Sequence, residues 1–406
     1  MYPGIHNFSE IGKLNKVLLH RPGKELEALT PATLERLLFD DVPYLKIAQQ
    51  EHDNFARVLR ENGVEVVYYV DEVAKAIADP ARQIQLVNDF LNISKIHAKG
   101  LRASMTSYLL NMPPKQMVTE LIAGIKRSEV ATKEATSLMD LVEDDYPFVS
   151  DPMPNLYFTR DPGACGGRGH QHPPDAHARP QAREPAPKVY VPLQPRLCHA
   201  GEQDVVRPFR QLLHRGRRRA RPLEGHRGRR PVPAHDRFRR GELCAQPAAK
   251  LRLQEGASPS TSPKPRAFMH LDTVFTMVDY DKFTIHPEIE GPLSVYEMTL
   301  DDHGELQFRA LKEELKDILA LELKLPAVDL IRCGGGDLLA AQREWNDGSN
   351  TLCIAPGRVI TYDRNYVTNE LLDKKGIDVI SISSAELSRG RGGPRCMSCP
   401  VNRDDL

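Results

Sequence analysis

The same joint, a helix that ends at a glycine and leads directly into a strand, occurs near both ends of this chain. Near the N-terminus, apolar residues at helical spacing predict a helix that stops at Gly63, and Val64–Tyr69 has the content of a strand. Near the C-terminus, a second predicted helix stops at Gly376, and a strand over 377–382 follows. Recurring strand–helix–strand units predict an α/β fold with repeats around a pseudo-symmetry axis. A generic α/β domain, in which such joints are also common, is the alternative.

Two segments between these ends have a different character. Residues 72–147 carry helical periodicity with few strand signals, and we predict a helical insertion there. Residues 163–265 are rich in Arg, Gly, Pro, Ala and His, and we expect them to be poorly ordered. The chain has 55 Lys and Arg and 55 Asp and Glu, but the balance is uneven: this basic segment offsets an acidic excess elsewhere. Such a segment is also compatible with nucleic-acid binding, although it has few aromatic residues to stack on bases.

The totals exclude several protein classes. No apolar run is long enough to span a membrane, and the N-terminus lacks a basic-then-apolar signal pattern. The seven cysteines, an odd number spread over a long chain, do not form a disulfide framework. We therefore expect a cytoplasmic protein.

A loop close to the C-terminus carries the first candidate for chemistry. In the stretch Arg389–Pro400, Cys396 lies among glycines, prolines and arginines. Glycines let another molecule approach the backbone, and cationic neighbours favour a thiolate over a thiol. Cys396 is thus a candidate nucleophile, while a surface thiol in a flexible tail is the plain alternative. The spacing of Cys396 and Cys399 also permits a redox or zinc role, but neither a second cysteine pair nor a predicted helix start supports it.

Two further stretches are dense in functional residue types. His270 and Asp272 are two positions apart in an apolar run, so on a strand they share a face. An imidazole beside a carboxylate can act as a general acid and base, although a hydrogen-bonded pair in the core would have the same pattern. A zinc site is a weaker interpretation, because too few ligands lie nearby. The other stretch, 153–162, contains Asn155, Phe158 and Asp161.

Together these stretches resemble one protein family. The chain is similar to bacterial arginine deiminases, members of the guanidine-modifying pentein superfamily. The matching stretches are Leu37–Asp41, Asn155–Pro162, Arg266–Pro287, Cys333–Asp337, Trp345–Asn350 and Arg389–Pro400. Together with the N-terminal and helical regions, they cover about three-quarters of the chain. The resemblance implies a five-bladed α/β propeller of ββαβ-type units with a helical insertion. Gly334, Gly335 and Gly336 lack the Lys-Ser/Thr ending of a phosphate loop, and we interpret them as a tight structural turn.

The resemblance also implies a reaction and a role for each residue. The family hydrolyses L-arginine to L-citrulline and ammonia, the first step of arginine degradation, without a metal or organic cofactor. Cys396 resembles the nucleophile, His270 the general acid and base, and Asp161 and Asp272 the carboxylates that hold the guanidinium group. Asn155, Phe158 and Arg391 match positions that line the substrate site, with Arg391 suited to the substrate carboxylate. The family is typically homo-oligomeric.

The resemblance implies a division of the chain as well. We expect a first propeller part in 1–71, the helical insertion in 72–147, a propeller strand with a substrate motif in 148–162, the anomalous segment in 163–265, and a propeller part with the catalytic His and Cys in 266–406. In the family, the interval that corresponds to 163–265 supplies blade strands and a Glu-Gly-Gly-Asp strand whose glutamate helps to activate the histidine. Neither is recognisable here, and Glu224 does not lie in a strand-like setting.

Our hypothesis for this interval is out-of-frame translation of GC-rich DNA over residues 163 to about 258, and a genuine basic insertion is the alternative. A propeller without these strands exposes sheet edges and core faces. We therefore expect the chain as written to fold poorly and to have little deiminase activity. Other outcomes are an arginine-binding pseudoenzyme, a nucleic-acid-binding protein that uses the basic segment, and a related hydrolase of agmatine or dimethylarginine.

Overall fold

The computed structural model describes residues 4–37, 39–130, 146–162, 164–166, 169–171, 242–245, 249–255, 273–290, 293–300, 306–344 and 347–406. His270 and Asp272, Glu224 and most of the basic segment lie outside these ranges. Described α-helices are numbered here in chain order. They are α1 (Lys24–Glu27), α2 (Leu34–Leu37), α3 (Leu45–Glu61), α4 (Tyr69–Ala76), α5 (Pro80–Ile93), α6 (Lys99–Leu110), α7 (Pro114–Ala123), α8 (Arg127–Val130), α9 (Leu315–Glu322), α10 (Leu338–Arg343) and α11 (Tyr366–Lys374).

The described strands are short and alternate with these helices. They are β1 (Leu14–Leu19), β2 (Glu65–Tyr68), β3 (Ala164–Gly166), β4 (Gly169–Gln171), β5 (Glu242–Ala245), β6 (Ala249–Glu255), β7 (Phe275–Met277), β8 (Lys282–Ile285), β9 (Leu293–Leu300), β10 (Leu306–Leu311), β11 (Asp329–Arg332), β12 (Leu352–Ala355), β13 (Arg358–Tyr362), β14 (Asp378–Ile382) and β15 (Cys399–Arg403). The fold class is mixed α/β, as the sequence predicts.

The chain forms two compact units. The first combines Met1–Arg219 with Ser384–Gly392 and Cys396–Leu406, and the second combines Ala220–Ser383 with Gly393–Arg395. The C-terminal end of the chain therefore belongs to the same unit as the N-terminus.

A three-stranded sheet joins the two ends of the chain in the first unit. Strand β1 lies in the centre, antiparallel to β15 and parallel to β2. Leu18 of β1 pairs with Cys399 on one side and with Val67 on the other. The residues that precede β15, including Cys396, are thereby tied to the centre of this sheet.

The helices between α4 and α8 belong to the first unit and share one large apolar core with its sheet. These helices contribute buried side chains at helical spacing, such as Leu86 and Phe90 of α5 and Val118 and Leu121 of α7, all fully buried. Cys399 and Val401 of β15 belong to the same core. Described helices from α4 to α8 cover much of 69–130, while 131–145 lies outside the described residues. The helical insertion over 72–147 stays a prediction.

The second unit holds three described sheets. Their strand orders are β10-β9-β6-β5, β11-β8-β7 and β12-β13-β14, and each contains an antiparallel pair. In the last two sheets, β8 pairs with β11 and β13 with β14 in parallel. A parallel pair needs a crossover, and α11 makes it from β13 to β14, as the helix–glycine–strand pattern predicts.

The triglycine stretch is a structural turn, as predicted. Gly334, Gly335 and Gly336 all have positive φ angles, between 62° and 84°, where a side chain would be strained. The Gly334 N–H donates to the Thr368 hydroxyl at 2.9 Å, and this hydroxyl donates to the buried carboxylate of Glu344. The turn is therefore fixed from inside its own unit.

Local predictions differ from the structure in two places. The sequence also predicts a helix over 311–319, but β10 continues to Leu311 and α9 begins at Leu315. The segment 148–162, expected to be a strand, has an isolated bridge at Phe148 and a 3-10 turn at Pro154–Tyr157. Prolines at 152, 154 and 162 remove backbone donors that a strand would need, which explains the irregular path.

In the part of the chain described above, no helix has the length and apolar character that a membrane crossing requires.

Candidate active site

The Cys396 segment and the Asp161 turn run side by side in the first unit. The Arg160 N–H donates to the Cys396 carbonyl at 3.1 Å, and Arg160 Nε donates to the Ser398 carbonyl at 2.8 Å. The Thr159 hydroxyl lies 3.1 Å from the Met397 carbonyl and 3.0 Å from the Leu18 carbonyl, and it can donate to either. The backbone next to Asp161 thus contacts the Cys396 segment across more than half of the sequence.

Cys396 is a buried residue in an ordered loop. Its exposed fraction is 3%, and the following Met397 and Ser398 are fully buried. The plain alternative of a surface thiol in a flexible tail is therefore wrong. Cys399, also buried, is the first residue of β15 and pairs with Leu18, which gives it a structural position.

Phe158 packs directly against the glycines of the Cys396 loop. A Cβ on Gly392 would overlap the Phe158 ring, and a Cβ on Gly390 would overlap the Tyr157 hydroxyl. The rings of Tyr157 and Phe158 contact each other, with centroids 4.0 Å apart. The two glycines are required because the loop backbone passes within contact distance of these aromatic side chains.

The loop arginines are held by the acidic pair of the Leu37–Asp41 motif. Arg391 Nε donates to the Asp40 carboxylate, and Arg389 donates to Asp41 and pairs with Glu386. Arg391 adopts a left-handed backbone conformation, with φ 58° and ψ 65°, which is uncommon for a residue with a side chain. In this structure the guanidinium group predicted to meet a substrate carboxylate meets a protein carboxylate.

Asn155 also contacts the Leu37–Asp41 motif. Its side-chain amide donates to the Leu37 carbonyl at 2.6 Å, at the end of α2. Asn155 therefore fixes the segment that carries Asp40 and Asp41, a role that residue type alone did not indicate.

A buried carboxylate holds the start of the loop. Glu51 of α3 accepts from the Glu386 and Leu387 N–H groups, both at 3.0 Å. The role of Glu51 was not predicted, although the sequence contains a signal for it: Glu51 lies between Ala48 and Phe55, on the buried face of α3. A charged residue at a core position of an amphipathic helix indicates a specific partner.

Thr159 and Arg160 were also missed as individual residues. Both lie inside the 153–162 stretch, but nothing in their residue type indicates that they bind the backbone carbonyls of the Cys396 segment. His270 and Asp272 lie outside the described residues, and their assignment stays a prediction.

Comparison with known proteins identifies relatives over nearly the whole chain. A family model described as arginine deiminase matches residues 35–171 and 260–403. The chain is 44% identical to an arginine deiminase of Bacillus cytotoxicus over 422 residues, covering 99% of both chains. It is 46% identical to an arginine deiminase of Clostridium perfringens over 419 residues, covering 98% of both chains.

Solved structures give a weaker likeness. An amidinotransferase from Microseira wollei aligns with 11% sequence identity and a TM-score of 0.39, covering 99% of this chain and 98% of that chain. A TM-score of this size does not establish a common fold.

Proposed function

This chain belongs to the arginine deiminase family, and on that premise we propose that it hydrolyses L-arginine to L-citrulline and ammonia. The observation that carries the proposal is the bonding of the Asp161 turn to the Cys396 segment in one unit, through the Arg160 N–H and the Cys396 carbonyl. A carboxylate that can bind a guanidinium group and a nucleophile that can attack its carbon thus belong to neighbouring backbone segments.

The reaction we propose has two covalent steps. In the first, the Cys396 thiolate attacks the guanidinium carbon, and a C–S bond forms. His270 protonates a terminal nitrogen, the C–N bond breaks, and ammonia leaves an S-amidino group on Cys396. In the second, His270 takes a proton from water as the water oxygen attacks the same carbon. Expulsion of the thiolate then gives the urea group of citrulline.

Charge complementarity supports this assignment. A planar guanidinium cation is bound well by carboxylates that accept two parallel hydrogen bonds, the role proposed for Asp161 and Asp272. Burying that cation requires negative charge nearby. The cation also favours the thiolate form of Cys396 while the substrate is bound. No step in this sequence needs a metal ion or an organic cofactor.

Arg391 is the proposed partner of the substrate carboxylate. Because Arg391 is paired with Asp40, binding would exchange one carboxylate for another and leave the total number of ion pairs unchanged. Asn155 would support this exchange because its hydrogen bond to the Leu37 carbonyl holds the backbone before Asp40. Phe158 would support it because its ring packs against Gly392, the residue after Arg391.

A comparison of two substrates tests the role of Arg391. Agmatine has the guanidinium group of arginine but no carboxylate. In the active protein we expect Arg391→Lys, which cannot form a two-pronged contact, to raise the KM for arginine on the order of tenfold. The KM for agmatine should change little. An equal change for both substrates would contradict a contact with the carboxylate.

The basic segment decides whether the chain as written can be active. The family match stops at residue 171 and resumes at 260, yet relatives align over 418–422 residues with at least 98% of each chain covered. The relatives therefore align across an interval that the family model does not match. Family similarity on both sides of an unmatched interval is what a pair of compensating frameshifts would produce.

The genetic code supports a shift of one nucleotide. Reading from the second base of each codon, His170-Gln171-His172-Pro173 must encode Ile or Thr, then Asn or Ser, then Ile or Thr. This alternation of β-branched and polar residues is typical of a strand. In the same shifted frame, the codons of residues 226–231 permit Ile-Glu-Gly-Gly-Asp, the stretch that the family resemblance implies for this interval. The missing glutamate is thus compatible with the gene in the other frame.

Sequencing the gene and identifying peptides of the natural protein test whether this interval is translated in the shifted frame. Genomic sequencing should find compensating insertions or deletions near codons 163 and 260, and mass spectrometry of the natural protein should find peptides of the shifted frame. Peptides that span residues 217–240 as written, from the natural source, would contradict it.

Turnover separates the functional alternatives. The in-frame protein should release citrulline and form an amidino adduct on Cys396, and Cys396→Ala should abolish both. Arginine binding without an adduct would favour a pseudoenzyme. Salt-sensitive retention on DNA or RNA that is lost on deletion of 163–265 would favour a nucleic-acid-binding protein. A homo-oligomeric state and a cytoplasmic location stay predictions.

A further inference from the structure

One buried carboxylate outside the proposed chemistry binds the backbone that leads to Cys396. Glu51 has an exposed fraction of 5% and lies on α3, far in sequence from the loop. Its Oε2 accepts from the N–H groups of Glu386 and Leu387, each at 3.0 Å, and its Oε1 lies 3.4 Å from the Glu386 nitrogen. Successive backbone N–H groups that converge on one anion can form a concave anion-binding site.

The pKa of Glu51 reflects two opposing effects, burial and the hydrogen bonds from the loop backbone. Burial raises the pKa of Glu51, and N–H donors from Leu387, Glu386 and Ala385 oppose that rise. A carboxylate in the core is costly unless its hydrogen bonds are made. The two hydrogen-bonded donors, Glu386 and Leu387, are consecutive residues, so the carboxylate fixes the direction of the backbone at this point.

The bound backbone begins the 3-10 turn Leu387–Gly390. Its first residue is held on both sides, because Tyr157 donates its hydroxyl proton to the Leu387 carbonyl at 3.0 Å while Glu51 holds the Leu387 N–H. Tyr44 adds a third contact, with its N–H donating to Glu386 Oε2 at 2.7 Å. The turn carries Arg389 and leads directly into Arg391.

We propose that Glu51 is a positioning residue that sets the entry of the loop 387–396 and, through Arg391, the affinity for the carboxylate of the substrate. The second half of this inference rests on the proposed function, whereas the first half does not. Glu51 touches no substrate and acts only through the backbone at 385–387. Its loss should therefore affect arginine more than agmatine.

Amide hydrogen exchange tests the first half in the full-length protein. Glu51→Gln keeps the shape but replaces one acceptor oxygen with a donor that faces N–H groups. We expect faster exchange at 385–391 in Glu51→Gln and less change in Glu51→Asp, which keeps the charge. The matched control is Glu344→Gln, since Glu344 is an equally buried glutamate that holds Thr368 in the other unit. It should leave exchange at 385–391 unchanged.

Titration calorimetry with arginine and agmatine tests the second half. Glu51→Gln should weaken arginine binding on the order of tenfold and agmatine binding much less. Unchanged exchange at 385–391 in Glu51→Gln would overturn the positioning role. Faster exchange with unchanged arginine affinity would overturn the link to Arg391. These titrations use the in-frame protein with Cys396→Ala, which cannot hydrolyse the arginine. If this protein, with Glu51 intact, binds no arginine, the proposed function fails, and the exchange data still decide whether Glu51 positions the loop.

Discussion

Gly392 shows at the residue scale why the Cys396 loop is rich in glycine. The Phe158 ring occupies the space that a Cβ would need, so the constraint is steric and local. We expect Gly392→Ala to destabilise the protein by about 1–3 kcal/mol, because either the loop or the ring must move. Urea denaturation measures this cost.

A second substitution isolates the cause. Phe158→Leu in the Gly392→Ala background should recover part of the lost stability, because the smaller side chain leaves room for the added methyl group. Additive losses in the double variant would rule out a direct clash between the two positions.

His52 makes stability depend on pH through burial. The ring is fully buried on α3, and neither nitrogen has a hydrogen-bond partner among the described residues. Burial lowers the pKa of His52 from 6.5 to about 3. Below about pH 6.5, His52 therefore becomes protonated in the unfolded state but stays neutral in the folded state. The free energy of unfolding then falls as the pH falls towards 3.

His52→Leu tests this linkage. The contribution of His52 is fully present above about pH 6.5 and is lost at up to about 1.4 kcal/mol per pH unit below it. Free energies of unfolding between pH 4 and 8 should therefore show a shallower acid slope in the variant. An identical slope would mean that His52 does not contribute.

At the scale of secondary-structure elements, the joints at Gly63 and Gly376 show why a helix that leads directly into a strand ends at a glycine. Both residues have a positive φ, 78° and 80°, and a Cβ at either position would meet no atom within 4 Å. The first joint ends α3 before β2 and the second ends α11 before β14. Their glycines are required for backbone conformation and not for space.

The conformational requirement at Gly63 and Gly376 predicts how much an alanine there would lower the free energy of unfolding. Gly63→Ala and Gly376→Ala should each destabilise by about 1 kcal/mol, and Asn, which tolerates the left-handed conformation, should cost less. Denaturation curves of the four variants provide the measurement. An alanine no worse than asparagine at both positions would contradict a conformational origin.

Helix boundaries at this scale followed the sequence closely. The helices predicted to stop at Gly63 and Gly376 are observed as Leu45–Glu61 and Tyr366–Lys374, because apolar spacing and the terminal glycine are both local signals. The segment 148–162 was predicted wrongly as a strand. Its path depends on contacts with Leu18 and Met397, which no local pattern encodes.

At the scale of the whole molecule, the reading frame of the basic segment has the largest expected effect on stability and activity. We expect the chain as written to unfold at lower temperature and to release little citrulline, and the in-frame chain to be cooperative and active. The physical reason is that strands missing from a sheet leave sheet edges and apolar faces in contact with water. Calorimetry and a citrulline assay on both chains measure the difference. Equal activity of the two chains would show that the segment is dispensable.

The sequence by itself determined the α/β class, the helical insertion, the family and the residue types needed for chemistry on a guanidinium group. These follow from periodicity, from glycine conformation and from motifs, all of which are written in short stretches of chain. Only the tertiary structure decided that Arg391 pairs with Asp40, 351 positions away, and that Glu51 holds Glu386, 335 positions away. Such pairs depend on how the ends of the chain pack around β1. Many carboxylates can satisfy the same arginine or amide, and only packing selects one of them.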